Sequence, residues 1–178
     1  TVSGTGISFG TPVVFESASS QYFSATFDSN LNKVVIAYRD NGNSNRGTAV
    51  VGTVSGTNIS FGSAVVFETG EATYINAVFD SNSNKVVIAY KDNGNSSRGT
   101  AIVGTVSGTG ISFGTAVVFS NVQSTTFISA TFDSVNNKII ITYRHSDNSN
   151  IGSAIVGTVS GTSISFGTEA VFSSNTVG

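Results

Sequence analysis

Chemistry requires side chains that can move a proton, attack a carbon or hold an ion, and this chain has few. It carries 8 Lys and Arg, 10 Asp and Glu, one His and no Cys. His145 stands where two similar stretches have Asp40 and Asp92. An isolated imidazole in a polar loop reads as a solvated side chain before it reads as a base or a ligand contact. No G-x-S-x-G, H-E-x-x-H or phosphate-binding glycine loop occurs, so no catalytic residue is expected. Two oxygen patterns, Asp28-x-Asn30-x-Asn32 and Asp80-x-Asn82-x-Asn84, have the spacing that opens a calcium loop. The third copy keeps Asp133, Asn136 and Asn137 but loses the middle oxygen, and none of the copies gains the following Gly or bidentate Glu. The rival reading is a turn in which the Asp accepts from nearby backbone amides. Calcium is therefore the one cofactor these residues suggest.

Ligand binding has a third set of candidates, in the loops 39–46, 91–98 and 144–150. Asp40, Asn43, Arg46, Asp92, Asn95, Arg98 and Asp147 supply the amides, carboxylates and guanidinium groups that bind sugar hydroxyls, and repetition would add avidity. The bland alternative is solvated loops. Sugar sites add an aromatic platform, and these loops contain none. The neighbouring Tyr38, Tyr90 and Tyr143 end apolar runs and are candidates for the core.

What positions these residues is a repeat. Tyr22 to Val51 returns as Tyr74 to Val103 and, with substitutions, as Phe127 to Val156. The offsets are 52 residues from Phe27 to Phe79 and 53 from Phe79 to Phe132, a period typical of stacked units. The segment Thr1 to Phe15 recurs as Thr53 to Phe67, Thr105 to Phe119 and Thr158 to Phe172. This gives a partial repeat over 1–19 and whole repeats over 20–71, 72–123 and 124–178. Because the sequence opens within a repeat and has no Met, a processed product or a piece of a longer array is expected.

Each repeat predicts four strands. Tyr22 to Phe27 alternates, with Phe23, Ala25 and Phe27 on one face and Tyr22, Ser24 and Thr26 on the other. Val34 to Tyr38 is apolar on both faces, as in a strand covered on two sides. Thr48 to Ser55 alternates again. Asn58 to Phe67 is interrupted by Gly62, suited to a bend or bulge. Ser3 to Thr5 predicts a tight turn, and Glu16, Glu68 and Glu71 fall on connections where solvated positions are expected. Among 178 residues there are 13 Phe, 20 Gly, one Pro and no Trp, and 39% are apolar, which suits an all-β chain with a sizeable core. A formal charge of -2 offers no basic face for nucleic acid, and no apolar run is long enough to cross a bilayer.

A small four-stranded sheet that is apolar on both faces must be covered by neighbours. The chain resembles the tandem four-stranded antiparallel blades of β-propeller proteins over nearly its whole length, the Phe-Asp-turn-Lys-Val-Val-Ile-Ala-Tyr hairpin matching best. The wording GTVSGT.ISFG..VVF resembles tandem repeats of tail and surface proteins of marine phages. Three blades plus a leading hairpin cannot close a ring, so further blades or symmetry-related copies are expected partners. Propeller glycosidases such as sialidases draw Arg, Tyr and carboxylates asymmetrically from different blades. Here Tyr38-Arg39, Tyr90-Lys91 and Tyr143-Arg144 occupy equivalent positions, and the S-x-D-x-G-x-T-W box is missing. The resemblance therefore implies a non-enzymatic structural or adhesion module, outside the cell or on a virion surface. A lectin-like propeller binding surface glycans is the alternative, and a fragment of a carbohydrate-active propeller enzyme the second alternative.

Overall fold

Period-two alternation and β-branched residues produce strands throughout a computed structural model that describes residues 2–146 and 150–173. No α-helix occurs among them; the helical backbone is confined to the 3-10 turns Asn41–Asn43 and Asn93–Asn95. The strands are β1 Val2–Ser3, β2 Gly6–Ile7, β3 Ser20–Asp28, β4 Lys33–Asp40, β5 Arg46–Ser55, β6 Asn58–Phe61, β7 Val65–Asp80 and β8 Lys85–Asp92. They continue as β9 Arg98–Ser107, β10 Gly110–Phe113, β11 Val117–Ser120, β12 Thr125–Asp133, β13 Lys138–His145, β14 Ile151–Ser160, β15 Ser163–Phe166 and β16 Ala170–Ser173. All pairings between them are antiparallel.

Each repeat lays its strands side by side in chain order, the first two joined through β7 into a nine-stranded sheet, the third forming a five-stranded one and β1 with β2 a separate pair. In the first repeat, β3 pairs β4 and β4 pairs β5. The outer edge of β5 is then shared by two pieces laid end to end: β6 on Gly52 to Ser55, and the start of β7 on Arg46 to Ala49. The break expected at Gly62 is where the pieces meet, and its N–H still donates to the Val51 carbonyl at 2.9 Å. At the tip, Gly56 takes φ 61° as the first of two loop residues, as a type II′ hairpin requires; Gly4, Gly108 and Gly161 repeat it.

β7 belongs to two units. Its residues up to Glu71 pair with β5, and from Ala72 it pairs with β8 to open the second unit. That unit continues through β9 to β10 and β11, and the third repeat builds the same order from β12 to β16.

The units pack face against face. Val35, Ala37, Ala49 and Val51 of the first meet Ile75, Ala77, Val86 and Ile88 of the second in one core. Val87, Ala89, Ala101 and Val103 then meet Ile128, Ile139, Ile141 and Tyr143 in the next. The run Val86 to Tyr90 is buried on both faces, as its unbroken apolar sequence predicts. Polar contacts set the stacking register. The Ser24 hydroxyl accepts from the Ala77 amide, and the Asn76 side-chain oxygen accepts from the Ala130 amide, both at 2.9 Å.

The leading segment takes its place in this scheme through Phe15, whose ring lies 5.2 Å from Tyr38 and 5.6 Å from Phe61. Phe67 stands 5.2 Å from Tyr90 and 5.8 Å from Phe113, and Phe119 repeats the geometry with Tyr143 and Phe166. Phe23 and Phe27, on the face of the first unit that points away from the second, remain 57% and 52% exposed.

One sequence expectation fails here. The simple alternation of Tyr22 to Phe27 is broken, because β3 runs in register from Ser20 to Gln21 and again from Ser24, leaving Tyr22 and Phe23 opposite the single residue Tyr38. That is a β-bulge. It recurs at Tyr74-Ile75 and at Phe127-Ile128.

Candidate functional site

The loop residues expected to meet a ligand are brought together, and they meet one another. Asp40 ends β4 and its carboxylate accepts from the Asn43 amide at 3.0 Å, capping the 3-10 turn. Arg46 donates to the Asn43 side-chain oxygen at 3.2 Å. Asp92 caps Asn95 in the same way at 3.0 Å, with Arg98 in the equivalent of the Arg46 position. Burial raises the Asp92 pKa above the carboxylate range, and the Glu68 charge raises it further, against the amides of Asn95 and Gly94. Asp147 lies outside the described residues.

The calcium-spaced oxygens form turns. Asp28 accepts from the Asn30 and Leu31 amides at 2.9 and 3.0 Å, and Asp80 from Asn82 and Ser83 at 2.9 and 3.1 Å. Asn32 and Asn84, the third oxygens of each pattern, take left-handed backbone with φ 54° to complete the hairpins. Asp133 accepts from the Val135 and Asn136 amides and from the Asn136 side chain, which hold its pKa below the ordinary range. Among the described residues no group of three His, Cys, Asp or Glu gathers as metal ligands would.

Two expectations about isolated side chains are corrected. His145 is the last residue of β13, only 3% exposed, and its Nε2 lies 2.5 Å from the Glu169 carboxylate. A strand-end position turned its ring inward, where the Asp of the other repeats caps a turn. The glutamates on the connections are likewise engaged. Glu16 and Glu68 accept from the Tyr38 and Tyr90 hydroxyls at 3.3 and 2.9 Å, and Glu71 pairs with Arg39 at 2.7 Å. A buried phenol needs an acceptor, and the chain crossing the strand ends supplies one.

The bulges build an arrangement that sequence reasoning missed. Tyr22, Tyr74 and Phe127 take φ of 55°, 50° and 50°, which turns their side chains out of the strand alternation. Their rings form a row, with centroids 5.7 Å and 5.6 Å apart. A cation from the neighbouring strand stands over each ring: Arg39 at 5.0 Å, Lys91 at 6.0 Å and Arg144 at 4.3 Å. Arg39 also donates to Gln21 and to Asn41, and Arg144 donates to the Thr126 hydroxyl at 3.3 Å. Tyr22 is 38% and Phe127 58% exposed, while Tyr74 between them is half-buried, one side packed against the second core. The aromatic platform absent from the loops is therefore present one strand away, while Tyr38, Tyr90 and Tyr143 are core. A signal was available: in all three repeats an aromatic residue precedes a cation by 17 positions (39 − 22, 91 − 74, 144 − 127).

No protein-family model, curated protein or solved structure matches the chain.

Proposed function

We propose that this chain is a non-enzymatic structural and adhesion module of a virion or cell surface, in which propeller-type blades are added one against the next. The observation that carries the reading is the repetition of one interface. Ser24 with Ala77 and Asn76 with Ala130 make the same side-chain-to-amide bond between successive units, flanked by equivalent apolar cores. Support for the blade reading comes from strands that follow chain order within a unit and from β7, which leaves the outer edge of one unit to open the next. The carboxylates of Asp28, Asp40, Asp80 and Asp92 and the side chain of Asn43, which could have formed a site, are bonded within turns. The surface setting is inferred from the wording of the repeat, GTVSGT.ISFG..VVF, alone.

Such a module is indifferent to its number of units. Repeating residues 72–123 a second time before residue 124 should give a single, sharper thermal transition at a higher midpoint, because each added unit brings another interface. A lower midpoint, or two separate transitions, would show that the three units are not interchangeable and would sink the reading.

A further inference from the structure

Going beyond that structural role, we propose that the row Tyr22, Tyr74 and Phe127, with Arg39, Lys91 and Arg144, binds an extended acidic polysaccharide bearing carboxylate or sulfate groups. Bulky residues avoid the left-handed backbone, yet three equivalent aromatics hold it, and each sits in a bulge that re-aims the side chain to the surface. Strain kept at every repeat, on rings left partly in water, is not what core packing requires.

The chemistry of the row indicates its occupant. Rings spaced at 5.7 and 5.6 Å are about one pyranose residue apart, and they offer apolar surface to the C–H faces of sugars. A cation stands at each ring, and Arg39 is shared with the carboxylate of Glu71. Among the described residues Lys91 pairs with no carboxylate, and the Tyr22 and Tyr74 hydroxyls bond to no protein group, leaving an ammonium and two phenols to meet a ligand. Nucleic acid is the competing polyanion, and its binding grows with the number of phosphates neutralised, so it forms a separate arm of the test.

Affinity electrophoresis of the full chain tests this, in gels containing polygalacturonate, chondroitin sulfate or neutral dextran, with a single-stranded DNA oligonucleotide as a separate arm. Retardation by at least one acidic polymer and none by dextran is expected. Lys91→Gln and Phe127→Asn should each weaken binding about tenfold, while Phe27→Asn, an exposed aromatic off the row, leaves it unchanged. Circular dichroism establishes that each variant is folded. The proposal is overturned by no retardation in either acidic polymer, by equal retardation in dextran, by binding that Lys91→Gln and Phe127→Asn leave intact, or by tighter binding to the oligonucleotide.

Discussion

At Phe127 the backbone holds φ 50° although the ring is mostly in water and touches a single aromatic neighbour, Tyr74. Left-handed backbone costs a bulky L-residue about 1–2 kcal/mol, whereas Asn tolerates it. The exposed ring and its cation contact return about as much. Phe127→Asn should therefore leave the unfolding free energy in denaturant the same, or raise it by about 1 kcal/mol. A loss of more than about 2 kcal/mol would identify the ring as a structural element. The bulge itself was not visible in the residue types, although the 17-residue spacing of aromatic and cation was. Tyr22 reads as one more alternating strand residue until two residues are found opposite Tyr38.

Among elements, the broken outer strand makes the sharpest test. The ISFG wording ends at Gly62, Gly114 and Gly167 alike. A Cβ added at Gly62 or Gly114 would stand 1.9 Å from the carbonyl oxygen of Thr109 or Thr162, in the hairpin tip of the following unit. At Gly167 the nearest atom is the Val156 oxygen at 3.7 Å, an ordinary contact. Gly114→Ala should thus cost about 1–3 kcal/mol by forcing two backbones apart, while Gly167→Ala stays within about 0.5 kcal/mol of the parent. Equal thermal midpoints for the two variants would mean that the stacked units are not held this closely. The sequence makes the two glycines look equivalent, and only the neighbouring unit separates them.

Across the whole molecule, three buried tyrosines tie stability to pH. Burial, followed by the charges of Glu16, Glu68 and Glu169, raises the pKa of Tyr38, Tyr90 and Tyr143 far above the ordinary 10.0. The folded chain keeps protons that the unfolded chain releases. Their contribution is complete below the ordinary phenol range and is lost progressively as pH rises above it, by up to about 1.4 kcal/mol per pH unit for each hydroxyl. Alkaline titration should then show phenolate absorbance from these three tyrosines appearing together with loss of the β-sheet circular dichroism. Phenolate formation at all five Tyr with the sheet signal intact would contradict their burial. The stack itself follows from sheets that are apolar on both faces, and the exposed Phe23 and Phe27 mark where that covering ends.

By itself the sequence determined the all-β character, the repeat and its period, the positions of the turns, and the doubly covered Val86 to Tyr90 strand, whereas in the Val34 to Tyr38 run, expected to be covered on both faces, Val34 and Ile36 are only half-buried. These follow from contacts local in the chain: alternation, Gly at hairpin tips, and Asp accepting from amides two and three residues on. Tertiary structure alone decided where the polar groups went. Whether Glu68 is solvated depends on Tyr90, 22 residues away, and whether His145 is exposed depends on Glu169, 24 residues away. The aromatic row needed more still, because one inserted residue in a strand reverses every side chain before it, and Tyr22, Tyr74 and Phe127 become neighbours only when three repeat units are stacked.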